Sequence, residues 1–167
     1  MGFTLSLEVD SGEECPYWFT KTDSKSFCHH LLECYIWRND GSDSIGKLAQ
    51  RLNLDLESLQ KVAGEEYSLE EYISWARDDE EKQRAEEEWY KDMERNKAAW
   101  QPPEGLAVCL SNFIQALDGQ PNVFTELEIT DTYFVDGYLR QDLGDLLKMA
   151  QWAKQTGEKR VRLVWLM

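Results

Sequence analysis

Both ends of the chain alternate. Residues 3–9 (Phe-Thr-Leu-Ser-Leu-Glu-Val) put Phe3, Leu5, Leu7 and Val9 on one side, and residues 160–166 (Arg-Val-Arg-Leu-Val-Trp-Leu) form a second apolar run. Such runs mark half-buried strands. Most of what lies between repeats with the period of a helix. A chain that is strand at both ends and helical between them has few ways to bury both ends. The simplest is one sheet that holds the two terminal strands and carries helices packed on a face.

The helical stretches follow one another closely. Residues 26–38 place Phe27, Leu31, Cys34 and Tyr35 on one face. Ile45, Leu48, Ala49 and Leu52 make a short helix that Asp43 or Ser44 can cap. Leu56, Leu59, Val62 and Ala63 make a second, opened by Asp55 and stopped by Gly64. Ser68 and Glu71 form a capping-box signature at the start of a long helix, about 69 to 99. Residues 77–84 within it contain no apolar side chain, so the helix either leaves the core there or breaks in two. Pro103 suits the first turn of the next helix, which runs through Leu106, Leu110, Phe113, Ile114 and Leu117 to Gly119. Leu143, Leu146, Leu147, Ala150 and Ala153 make a last one, stopped by Gly157. Residues 123–129 (Val-Phe-Thr-Glu-Leu-Glu-Ile) alternate and are expected as a third strand, with Tyr133-Phe134-Val135 as a further short one. Residues 10–26 read as loop, in which Tyr17-Trp18-Phe19 is a short strand or an anchor. The expected fold is α+β: a small, mostly antiparallel sheet including both terminal strands, covered by several helices, one long and highly charged. Residues 1–167 are expected to form a single domain, with 43–118 as a helical subdomain.

Charge narrows the function. Against 18 Lys and Arg stand 32 Asp and Glu, a net charge of −14. That opposes partners held mainly through phosphate charge, so neither nucleic acid nor an anionic membrane surface is expected. No run approaches the roughly 18 apolar residues of a membrane span. The opening residues show no basic region followed by an apolar stretch of signal length. With no export signal, the four cysteines (Cys15, Cys28, Cys34, Cys109) are expected as free thiols of a cytoplasmic, bacterial-type protein.

The acidity is concentrated. Residues 65–95 hold thirteen acids against five bases, a net of −8. Pairs such as Asp78–Lys82, Glu80–Arg84 and Glu87–Lys91 support a solvated helix by about 0.2–0.5 kcal/mol each. The same charges can steer a basic partner, and Trp75, Trp89 and Trp100 flank them as interface anchors or core residues. The function expected from this pattern is binding or regulation of a basic protein, without catalysis or cofactor. The binding residues are Glu80, Glu81, Glu87, Glu88, Trp75 and Trp89.

The alternative is a metal- or thiol-dependent enzyme centred on Cys28-His29-His30 and Cys34. Cys28, His29 and His30 are its candidate catalytic groups. Imidazole and thiolate also ligate zinc, and His30 and Cys34 lie one helical turn apart, with Cys15 upstream as a third ligand. No Cys-x-x-Cys, phosphate loop or nucleophile elbow accompanies them. Residues 45–63 resemble a helix-turn-helix, but the would-be reading helix begins with Asp55 and Glu57 and carries Lys61 alone as cation. A helix that meets bases and phosphates presents the opposite charge.

Overall fold

The computed structural model describes residues 3–32 and 43–166. Cys34 and the second half of the 26–38 helix lie outside the described residues. The fold is α+β. Strands β1 (Thr4–Val9), β2 (Val62–Ala63) and β3 (Val161–Leu166) form one sheet in the order β1-β3-β2. The last segment of the chain is therefore the central strand. It pairs antiparallel with β1, from Thr4 opposite Leu166 to Val9 opposite Val161. It pairs parallel with β2, Val62 opposite Leu163 and Ala63 opposite Val164. The sheet is thus mixed, not antiparallel throughout.

Helices α6 (Pro103–Gly119) and α9 (Tyr138–Gln155) pack together as the main helical pair over this sheet. Leu106, Leu110 and Phe113 of α6 meet the core with Leu139, Leu143, Leu146 and Met149 of α9. The ends of α9 follow from glycine. Gly137 at φ +82° precedes it, and Gly157 at φ +81° turns the chain out of it. The Glu158 and Gly157 N–H groups return to the Ala153 and Lys154 carbonyls at 3.0 and 3.2 Å, a Schellman closure.

Three expectations are corrected. Residues 123–129 are not a strand. They form the single turn α7 (Val123–Glu126), closed by Glu128 in the left-handed region at φ 57°, with the Ile129 N–H on the Phe124 carbonyl at 2.8 Å. Val123 and Leu127 face inward at i and i+4, a spacing that alternation and a helical turn share. Nor is 133–135 a strand: α8 (Thr132–Val135) is one turn capped by Asp131, whose carboxylate accepts the Tyr133 N–H at 2.9 Å. The helix expected over 55–63 shrinks to α3 (Glu57–Gln60), because β-branched Val62 and Ala63 leave it to pair with β3. With only one turn after α2 (Ser44–Arg51), the resemblance to a helix-turn-helix ends.

The long helix is two. Ser68 caps α4 (Leu69–Ser74) with the expected capping box: its hydroxyl accepts the Glu71 N–H at 3.2 Å and its own N–H donates to the Glu71 carboxylate at 2.7 Å. The chain then turns at 75–78, and Asp78 caps α5 (Asp79–Ala98), accepting the Glu81 N–H at 2.8 Å.

Each outer side of the sheet carries one buried side-chain cap. Ser24, fully buried, accepts the Leu5 N–H at 2.6 Å on the outer side of β1 and lies 3.4 Å from the Leu5 carbonyl. Asn96 of α5, 1% exposed, does the same one residue beyond β2. Its carboxamide oxygen accepts the Gly64 N–H at 2.9 Å, and its nitrogen donates to the Gly64 carbonyl at 3.3 Å. A carboxamide has the donor and acceptor of a peptide group, so it stands in for one more rung of a ladder. An unpaired edge invites pairing with another chain, and at Leu5 and Gly64 these caps occupy the groups such a chain would use.

Candidate functional site

Helix α5 contributes little to the core. Of its twenty residues only Asn96 is buried. Ala85, Trp89, Asp92 and Met93 are half-buried in a stripe at helical spacing, and α4 is the element packed most closely against α5. Aromatic rings gather in the crook of this hairpin. Tyr67, Tyr72 and Trp75 lie within 5.4–6.3 Å of one another, ring centre to ring centre. The Trp89 indole N–H donates to the Tyr67 carbonyl at 2.8 Å, and the Tyr72 hydroxyl donates to Asp92. Burial, followed by the bond to Asp92, pushes the Tyr72 phenol up to about 12.

The six partner-binding candidates divide on this frame. Glu80, Glu87 and Glu88 are exposed on α5, and Trp75 is 62% exposed. Glu81 is half-buried and works locally, its carboxylate accepting the Arg77 N–H at 2.8 Å across the turn into α5. Trp89 is half-buried and ties α5 to the chain before α4. Tyr90, 55% exposed and packed edge-on to Trp89 at 5.0 Å, is an aromatic of this surface that sequence reasoning missed. Its position one residue after Trp89 was the available signal. Glu80 pairs with Arg84 at 3.5 Å, whereas Lys82 turns to Asp79 at 3.2 Å.

A second region is built around the histidines. Helix α1 (Lys25–Leu32) carries Cys28, His29 and His30. His30 lies flat against Tyr133 of α8 at 4.9 Å, meets Phe134 edge-on at 4.8 Å and faces the Asp131 carboxylate at 3.5 Å. His29 packs edge-on to His30 at 5.1 Å. The two rings line a cleft of about 570 Å³ with Lys21, Lys25, Tyr133 and Tyr138.

Beneath the cleft lie two buried carboxylates of α9. Asp142, fully buried, accepts the Thr22 hydroxyl at 2.7 Å and the Tyr133 hydroxyl at 2.8 Å. Asp145 accepts both the N–H and the hydroxyl of Thr20 at 2.9 Å, and the Gln141 side chain at 3.0 Å. Burial raises the Asp142 carboxyl above its ordinary range; Thr22 and Tyr133 oppose this, and Asp145 reinforces it. Burial, then the neighbouring Asp142, raises the Tyr133 phenol strongly. Acids near the start of a helix are ordinarily explained by the helix dipole, but Asp142 and Asp145 are placed otherwise. Their burial under the 20–22 loop comes from packing between segments about 120 residues apart.

Cys28 is placed differently from a nucleophile's needs. Cys28 is 1% exposed, and burial pushes its thiol up to about 12, with Asp142 adding to the rise. An attacking thiol needs the reverse, a lowered value and access. Cys15 is half-buried in another groove, beside Tyr17, Trp18 and Trp100, whereas His30 lines the α1–α8 cleft. Among the described residues, no three His, Cys, Asp or Glu side chains are grouped to hold a metal ion. Phe19 is the buried anchor of the aromatic trio, while Tyr17 and Trp18 are about half exposed. Comparison of the chain with protein-family models, with curated proteins and with solved structures yields no match.

Proposed function

We propose that the chain binds a basic protein through the α4–α5 hairpin and acts by occupying that partner, for instance as a neutralising or regulatory inhibitor. The observation that carries this reading is the exposed Trp75, set in a ring cluster beside a twenty-residue acidic helix that buries only Asn96. A helix this long that serves the core so little is spared for another use. Glu80, Glu87 and Glu88 present charge for steering, and Trp75 presents area that a partner can desolvate.

Captured partners are to be purified and their affinity measured against salt for three proteins: wild type, Glu80/Glu87/Glu88→Gln and Trp75→Ala. A screened charge pair about 7 Å apart contributes about 0.25 kcal/mol at physiological salt. Three such pairs then weaken binding about threefold to fourfold and flatten its salt dependence. Loss of an anchoring tryptophan weakens it by about 30-fold. Affinity that ignores salt and both variants would overturn the proposal.

A further inference from the structure

On a chain of net charge −14, the α1–α8 cleft gathers Lys21 and Lys25 beside His29 and His30, and among the described residues Asp131 is the one carboxylate of its lining. Asp131 faces His30 at 3.5 Å. Arg51, Arg140, Arg160 and Arg162 each hold a carboxylate elsewhere. Lys21 and Lys25 form no ion pair among the described residues; the Lys21 ammonium instead lies 5.9 Å above the Tyr138 ring.

The placement of Lys21 is built from beneath. Thr20 and Thr22 on either side of it are tied to the buried carboxylates of Asp145 and Asp142. That loop cannot shift without breaking buried hydrogen bonds, so the backbone that carries the lysine is held in place in advance. Lys25 and His29 lie at i and i+4 on α1 and present cation and imidazole side by side. The Tyr133 ring supports His30 from below, its own hydroxyl donating to Asp142.

We infer that this cleft is a binding site for a small aromatic phosphate monoester, its dianion between Lys21 and Lys25 and its ring against Tyr138. Two lysines match the charge of a phosphate monoester better than that of a monocarboxylate. The volume of about 570 Å³ exceeds what a bare inorganic anion fills and suits a small organic ligand. The acidic remainder of the surface repels extended polyanions, so selection falls on molecules that enter the cleft.

Phenyl phosphate provides the direct test. It is titrated at constant ionic strength, held with sodium chloride, and followed by calorimetry and by the ring-proton shifts of His29 and His30. Saturable binding is expected, weakened about tenfold by Lys21→Met and by Lys25→Met, as loss of one charged donor implies. Trp75→Ala, on the hairpin, leaves it unchanged, which separates this site from the partner surface. Shifts equal to those of the sodium chloride blank, unaltered affinity in both lysine variants, or benzoate bound as tightly as phenyl phosphate would overturn the inference.

Discussion

Asn96→Ala tests how the acidic hairpin is rooted in the fold. The carboxamide makes two hydrogen bonds to one buried residue, 2.9 Å to the Gly64 N–H and 3.3 Å from its own nitrogen to the Gly64 carbonyl. Truncation leaves both backbone groups without a partner. Each buried orphan costs about 1–3 kcal/mol, and the longer bond belongs at the low end. Alanine's higher helix propensity returns about 0.5 kcal/mol. The net loss is about 2 kcal/mol, a fall of about 4–8 °C in Tm for a chain of this size. Urea unfolding measures it. Asn112→Ala, at an exposed position of α6, controls for propensity and should stay within about 0.5 kcal/mol of wild type. Amide exchange gives the local readout: the Gly64 N–H, protected in wild type, becomes one of the first amides near the sheet to exchange. If the Asn96 and Asn112 variants unfold within about 0.5 kcal/mol of each other, the carboxamide is not an edge cap.

Asp142 predicts a pH signature. Its folded-state pKa lies above the ordinary 3.8. Between those values the folded chain keeps a proton that the unfolded chain has lost, so this group's contribution to stability falls as pH rises through the window. Asp142→Asn removes that dependence while leaving an acceptor for Thr22 or Tyr133. Its stability relative to wild type should therefore grow as pH rises above the ordinary carboxyl value of 3.8, and a difference independent of pH refutes the assignment. The thiols predict a labelling order. With Cys28 raised to about 12 and Cys109 to about 11, both buried, iodoacetamide should modify the half-buried Cys15 before either of them in the native protein. Near pH 8 a thiol raised to about 12 reacts about a thousandfold slower than an ordinary one. Peptide mapping that finds Cys28 labelled as fast as Cys15 contradicts the burial argument.

Local signals were legible wherever one segment sufficed to satisfy its own backbone. Ser68 with Glu71, Asp43 before α2, Pro103 at the start of α6 and Gly157 after α9 all act within a turn of the residues they serve. Asp78 and Glu81 repeat the Ser68–Glu71 spacing and mark the start of α5. The apolar gap at 77–84 left a solvated helix and a break equally open, and the Asp78 cap selects the break. The 123–129 segment failed for a related reason. Seven residues with apolar side chains two and four apart suit a strand or a closed turn equally, and Glu128 in the left-handed region selected the turn.

The candidate surfaces divide the same way. The acidity of residues 65–95 is a property of composition and stands in any conformation. Which aromatics face solvent beside it is not: Trp75 is exposed while Trp89 is held against the Tyr67 carbonyl. The α1–α8 cleft joins α1 to residues about 100 positions later.

From the amino acids alone came the terminal strands, most helix starts and stops, and the lopsided charge, because periodicity, capping and composition are short-range. Tertiary structure decided that the last strand is central, that Ser24 and Asn96 cap Leu5 and Gly64 beside the sheet, and that Asp142 and Asp145 lie beneath the α1–α8 cleft. Those outcomes depend on which distant groups can satisfy one another once water is excluded, and no local pattern carries that information.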